Sequence, residues 1–475
     1  MSISGHLTPT VFTLARNMPF QTAGIEIMRS LLRCVFVLAL WTLAVGCRRA
    51  KPDILLITVD TLRADRLGVY GSLLGLTPSL DRFAQGALVF DRAYAVAPIT
   101  APSLSSAFTS HYPHETKVTD NGLQIPPGVP TLADLLRQEG YETAAVVSNP
   151  VLAAPSRLDP GFDSYDDTLP EQEKYRDEPT RRAGRTTDAA LALWHVRRSK
   201  PLFLWVHYMD PHGPYEAPES FAEEATRVTG PEDRTLSVSA DNRSSGAIPR
   251  YQYISGCRSS RDYLVRHNAA VAYLDSQIGR LLADPDVARL RREGLICFTA
   301  DHGEALGEHN TWFAHGENVY HEMIHVPWVV AGRGIRAGRR GDVVSLIDLL
   351  PSLFDQLRFP KSRRWRGLPI FRGPGPSDRV VLAATFPAAS EAQRYVAMSA
   401  SASAILSVPG GWECYSTPEE TVNLSEKLPR PMRLLARRLL AELSRNDLGN
   451  LVPEAPERVR SPEALRRLRS LGYLQ

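Results

Sequence analysis

The sequence predicts an α/β protein: a mostly parallel sheet between helices, followed by a small α+β unit. Three observations predict it. Short apolar runs at residues 53–59, 144–147, 202–209 and 295–300 each end by releasing polar groups, the pattern of strands buried in a parallel sheet. Helical periodicities lie between those runs, as crossover connections require. The 43% hydrophobic and 23% charged fractions are those of a globular protein with ample material for a core. A length of 475 residues suits one large domain with appendages, or two to three domains.

The formal net charge of +3 is nearly neutral for this length, and no basic run is interleaved with aromatics. Nucleic-acid binding is therefore not expected. The five cysteines show no C-x-x-C spacing. Cys34 falls within the leader and Cys297 within an apolar run, which leaves Cys257 and Cys414 as the only candidates to pair.

Met28-Arg29 opens a basic segment, residues 31–45 are apolar but for Arg33 and Thr42, and Leu43-Ala44-Val45-Gly46-Cys47 precedes Arg48-Arg49. This is a secretory signal. It resembles a bacterial lipoprotein signal over residues 1–47, with Cys47 as the lipidated residue and Ala44 where leucine is more usual. The expectation is an exported protein, anchored by lipid to a membrane on its extracytoplasmic side, with Met28 as an alternative start.

Residues 77–84 read as a capped helix, with a cap near Thr77, Pro78 at the first position and Leu80, Phe83 and Ala84 on one face. Residues 88–90 are a short strand. Thr100 is placed as the N-cap of a helix running through Phe108, with Pro102 in its first turn. A hydroxyl there would face free amides and the positive end of the helix dipole, a setting for an anion. Residues 131–141 and 262–282 are amphipathic helices, the second with Val271, Leu274, Ile278 and Leu281 at helical spacing. Residues 153–185 and 216–260 are polar and without period, the second an excursion near the mouth of the site.

Residues 326–331 read as a strand and 344–354 as a helix. Residues 358–380 carry Pro360, Pro369, Pro374 and Pro376 and look like a linker. Short strand patterns near 380–383, 395–398 and 404–408 and a basic amphipathic helix at 431–444 make up the small C-terminal unit, residues 376–475. The catalytic domain is expected over residues 51–375.

Ligands in open α/β sheets sit beyond the carboxyl ends of the strands. Asp60 follows the first apolar run, and Asp301-His302-Gly303-Glu304 follows another. Carboxylates and an imidazole at one sheet edge are candidate metal ligands. Residues 302–325 hold His302, His309, His315, His321 and His325, five of the twelve histidines, a density that favours ligand or acid–base roles for some of them.

In order along the chain stand Asp60-Thr61-Leu62-Arg63-Ala64-Asp65, Thr77-Pro78-Ser79, Thr100-Ala101-Pro102-Ser103, Asp210-Pro211-His212-Gly213-Pro214, Asp301-His302-Gly303-Glu304 and Val326-Pro327. This ordered set resembles the sulfatase family of the alkaline phosphatase superfamily over nearly the whole mature chain. The resemblance implies an alkaline phosphatase-like fold and a hydrolase of sulfate or phosphate esters. It implies a divalent metal (Ca, Zn or Mn) on Asp60, Thr100, Asp301 and His302. Of the catalytic residues, His212 would be a general acid or leaving-group contact and His315 lies close to where the family often has a lysine, while Ser103 and Arg63 would bind substrate.

The departures bear on the chemistry. Thr100 stands where the family needs Cys or Ser for formylglycine, Leu104 replaces its arginine, and Thr61 replaces the second aspartate of its pair. Residues Val147-Ser148-Asn149-Pro150 stand in place of its Gly-Lys-Trp-His segment. Arg63 and Lys117 are the candidates to replace the lost arginine. A threonine nucleophile favours phosphoester chemistry. The expected partner is a sulfated or phosphorylated glycan or lipid. Transfer of phosphoethanolamine in the envelope, and a non-catalytic relative that binds an anionic glycan, are the alternatives.

Overall fold

The computed structural model describes residues 50–444, apart from 155–157, 177, 197, 241–243, 387–391, 417–419 and 428. The signal segment and Cys47 lie outside the described residues. Among the described residues, no helix is long and apolar enough to cross a membrane.

The apolar runs form the middle of a nine-stranded sheet. Strand β1 (Ile54–Val59) pairs in parallel with β5 (Leu202–Tyr208) and β6 (Leu295–Ala300). Strand β3 (Glu142–Val147) continues the parallel set beyond β5, with the short edge strand β4 (Ser164–Asp166) outside it. On the other side, β8 (Trp328–Gly332) runs antiparallel to β6 and to β2 (Leu88–Tyr94). Strand β7 (His325–Val326) is antiparallel to β2, and β9 (Gly338–Ser345) parallel to it. The run predicted as one strand at 326–331 is thus broken at Pro327, which has no N–H to give to a ladder.

Every residue of β1, β5 and β6 is buried, which requires a layer on each face. Helices α1 (Pro78–Ala84), α4 (Ala183–Trp194) and α5 (Ser260–Ala283) pack together, and so do α2 (Thr100–Thr109), α3 (Leu132–Gln138) and α6 (Leu349–Leu357). Helix α5 buries Val271, Leu274, Ile278 and Leu281 as its periodicity predicts. Thr131 caps α3 by accepting from Asp134 N–H.

Several boundaries differ from the expectation. The Thr77 side chain accepts from Gly68 N–H, and the cap of α1 comes instead from Asp275 on α5, which accepts from Ser79 N–H and Leu80 N–H at 2.9 and 2.8 Å. The helix expected at 344–354 starts at Leu349, because Val343 and Val344 belong to β9 and pair with β2. Strand β4 lies within a segment read as loop. Residues 358–380 are irregular, yet Ile370 and Phe371 are buried in the main core.

The C-terminal strands β10 (Val381–Ala384), β11 (Gln393–Met398), β12 (Ala402–Val408) and β13 (Trp412–Ser416) form an antiparallel sheet. Helix α7 (Arg430–Ser444) lays Met432, Leu435 and Leu439 on it. Val381, Val396, Met398, Ile405 and Tyr415 join the main core. Cys257, Cys297 and Cys414 are all free thiols, so Cys257 and Cys414 do not pair.

Candidate active site

The parallel register brings the polar groups together. Val59 is level with Ala300 on one side and Tyr208 on the other, and Val147 is level with His207. Asp60 and Asp301 therefore emerge side by side, and the Asp301 N–H donates to Val59 O at 3.1 Å. Asp60, His207 and Asp301 each present a ligand atom within 4.8 Å of the others, and all three are buried. His302 Nε2 lies 3.8 Å from Asp60 Oδ1, 3.6 Å from Asp301 Oδ2 and 3.5 Å from Thr100 Oγ1.

These groups are held from behind. His302 Nδ1 donates to Gly303 O at 2.9 Å, which leaves Nε2 unprotonated in the neutral ring and suited to a metal. Asn149 Nδ2 donates to Asp60 Oδ2, so the segment that replaces Gly-Lys-Trp-His serves to hold a carboxylate. Thr61, with φ of 54°, turns its N–H to Asp301 Oδ1. Asp60 Oδ1, Asp301 Oδ2, His207 Nε2 and Thr61 Oγ1 are enclosed without hydrogen-bond partners.

Burial pushes the Asp60 carboxyl well up and that of Asp301 to about 6, and it lowers His207 and His302 to about 4. Two carboxylates and two imidazoles converging with orphaned ligand atoms fit a divalent cation.

Thr100 is fully buried and is the first residue of α2, one position inside the helix from the N-cap predicted for it. The helix N-terminus offers fewer free amides than expected. Ala101 N–H already donates to Asn121 Oδ1 at 2.9 Å, and Pro102 has no N–H.

A second group of rings lies beside the first. His315 stands 4.8 Å from His302 and 5.1 Å from His212, centroid to centroid. His315 Nδ1 is 3.4 Å from Glu304 Oε1. Glu304 also accepts from Tyr215 OH and from Gln252 Nε2, and burial pushes its pKa up to about 8. His212 Nδ1 donates to Gly213 O at 2.7 Å. Burial, then the neighbouring His315, hold the His212 pKa well below the usual histidine value. A Cβ on Gly213 would lie 1.8 Å from Gln252 Oε1, so any larger residue there would displace the Gln252 side chain.

Two residues assigned to substrate in the sequence have contacts within the protein. Ser103 Oγ donates to Asp301 O at 2.6 Å, which ties it to the strand end that carries Asp301 and His302. Arg63 is committed to Asp65 Oδ2 at 2.6 Å, Glu308 Oε1 at 2.9 Å and Glu304 O at 3.0 Å, and lines a different cleft. Its charge is balanced by the carboxylates of Asp65 and Glu308. Lys117 lines another cleft, with Tyr112, Tyr395 and Leu439.

The sequence reading assigned no role to His207, Asn149, Glu304 or Arg176. His207 was visible as the one imidazole in a buried strand. Arg176 comes from a stretch read as loop and binds Gly213 O and Tyr251 O.

Residues 52–358 match the sulfatase family model, which is more than half of the chain, and the protein belongs to that family. It is 29% identical to human iduronate 2-sulfatase over 339 residues, covering 59% of this chain and 60% of the relative. It is 27% identical to the choline-sulfatase of Rhizobium meliloti over 356 residues, covering 64% and 67%. The chain thus spans about three fifths to two thirds of the length of these relatives.

Among solved structures, BT4656 in complex with its substrate D-glucosamine-2-N,6-O-disulfate superposes with a TM-score of 0.69 at 19% identity, covering 84% of this chain and 99% of that one. The phosphonate monoester hydrolase of Agrobacterium radiobacter gives 0.67 at 19% identity, covering 83% and 96%. These two share the fold.

Proposed function

We propose that the protein is a metal-dependent hydrolase of sulfate-type or phosphate-type esters, with Thr100 as nucleophile and a preference for phosphoesters. The observation that carries this reading is the position of Thr100 Oγ1, 3.5 Å from His302 Nε2 at the edge of the Asp60–His207–Asp301 cluster. Family membership supports ester hydrolysis. The relatives named for sulfate chemistry and the neighbour named for phosphonate monoesters support an anionic ester as substrate class.

A divalent cation bound by Asp60, His207, Asp301 and His302 would lower the pKa of the Thr100 hydroxyl and neutralise charge on the transferred group. Thr100 Oγ1 bonds to phosphorus as the bond to the leaving oxygen breaks. Burial lowers His315 to about 3 and raises Glu304 to about 8, so a neutral His315 ring, its Nδ1 3.4 Å from Glu304 Oε1, would relay a proton from the Glu304 carboxyl to that oxygen. His212, kept neutral by burial and bonded through Nδ1 to Gly213 O, accepts through Nε2, which suits it to activate water against the phospho-threonine. Threonine cannot form the aldehyde hydrate through which formylglycine expels sulfate, and this is the argument for phosphorus over sulfur.

The test is turnover of aryl sulfate, aryl phosphate monoester and aryl phosphodiester by protein loaded with Zn²⁺ or Mn²⁺, with Thr100→Ala as control. The expected outcome is phosphoester turnover that falls by roughly 10³-fold or more in the variant, the scale seen when a nucleophile is removed. Sulfate turnover that survives in Thr100→Ala would overturn the mechanism.

A further inference from the structure

A second cluster of ligand-type side chains lies outside the catalytic one. His309, Glu322 and Glu420 each offer a ligand atom, and these atoms lie within 4.8 Å of one another. They come from distant parts of the chain. His309 sits in the turn Glu308–Asn310, Glu322 in the helical turn His321–Ile324, and Glu420 beyond the last strand of the C-terminal sheet. They line a cleft of about 620 Å³ together with Asp65, His321 and His325.

We propose that His309, Glu322 and Glu420 form a second divalent-metal site, which takes a cation such as Zn²⁺ and clasps the C-terminal sheet to the central one. Glu322 is 8% exposed, and its Oε1 is enclosed with no hydrogen-bond donor. A buried carboxylate oxygen lacking a donor calls for a cation. The nearby guanidinium of Arg63 does not supply it, being committed to Asp65, Glu308 and Glu304 O.

The other two ligands are held in place. Glu420 accepts from Ser403 Oγ at 2.6 Å and from His321 N–H at 2.8 Å, so its carboxylate is fixed from both elements that the site would join. The His309 ring stacks on Tyr320 with centroids 3.6 Å apart and planes 6° from parallel. Tyr320 in turn donates to Glu413 at 2.8 Å.

An imidazole with two carboxylates selects a borderline metal over Ca²⁺ or Mg²⁺. Zinc bonds of about 2.0–2.2 Å require ligand atoms no more than roughly 4 Å apart. His309, the exposed member, has room to close the difference. Three protein ligands leave positions for water.

The two clusters share no residue, so this inference stands apart from the proposed activity. They are joined through backbone: Gly303 N–H, next to His302, donates to Met323 O at 2.8 Å, next to Glu322. A Cβ on Gly303 would lie 2.1 Å from Glu322 O, so only glycine permits this contact.

The full chain, stripped with chelator, reloaded with Zn²⁺ and freed of excess by gel filtration, tests the site by metal counting. His309→Ala and Glu420→Gln are each expected to hold one equivalent fewer than wild type and to lose part of the Zn²⁺-dependent rise in melting temperature. His309 is exposed, so its replacement leaves the fold intact, which circular dichroism checks. Asp301→Asn isolates the site: the equivalent in question should persist in that variant and vanish in Asp301→Asn with His309→Ala. Equal counts in wild type, His309→Ala and Glu420→Gln would overturn the proposal whatever the protein's turnover.

Discussion

Thr58 shows how much a single hydroxyl decides at the residue scale. It lies on β1, 1% exposed, and its Oγ1 accepts from Trp205 Nε1 and meets His207 Nδ1, both at 2.8 Å. The pair fixes the His207 ring so that Nε2 faces Asp60 Oδ2 at 3.7 Å. Partners behind a metal-binding histidine set its orientation and basicity, and losing one typically lowers affinity by about 10–100-fold. Thr58→Val is expected to weaken the catalytic metal by that order, read by competition with a chelator in the His309→Ala background. Unchanged affinity would remove His207 from the ligand set. Arg63 teaches the complementary lesson. A cation three residues after Asp60 looks like a substrate clamp from the sequence, and its charge is balanced by Asp65 and Glu308.

Caps and ladders decide the elements. Helix α1 has Thr77 and Pro78 in the places a start signal requires, but its free N–H groups are satisfied by Asp275, from a helix almost two hundred residues later. Removing a capping carboxylate costs about 0.5–2 kcal/mol. Asp275→Ala should therefore lower stability by that order in urea denaturation. Burial raises the folded-state pKa of Asp275 above its ordinary 3.8, against the pull of the backbone N–H bonds. A group with a raised folded pKa contributes most below its unfolded value and loses that contribution as pH climbs through the folded one. The loss of stability on Asp275→Ala should accordingly be larger near pH 4 than near pH 7, and the reverse order would contradict the burial argument.

In the whole molecule, the central sheet and the C-terminal sheet share one core. Val381, Val396, Met398, Ile405 and Tyr415 bury against the main cluster, while Met432, Leu435 and Leu439 of α7 close the outer face of the second sheet. Each large apolar side chain contributes roughly 1.5–3 kcal/mol on burial. Losing the set removes an amount comparable to the roughly 5–15 kcal/mol net stability of a domain. A chain ending at residue 376 should show no cooperative unfolding transition by calorimetry. A sharp transition in that fragment would mean that the central sheet is self-sufficient.

By itself the sequence determined the parallel strands, the order of the motifs, the placement of Asp60, Asp301 and His302 at one sheet edge, and Thr100 at a helix start. Continuous apolar runs ending in polar residues leave a buried strand few other arrangements, and one register then aligns every strand end. Only the tertiary structure decided what those local patterns do not encode. His207 enters the cluster because neighbouring strands place it level with Thr58 and Val147. Ser103 bonds to Asp301 O, and Arg63 to Asp65 and Glu308, through partners that no local pattern names. His309, Glu322 and Glu420 meet because the C-terminal sheet folds back against the segment that follows His302. Periodicity is a property of neighbours in the chain, whereas partners for a buried charge are set by neighbours in space.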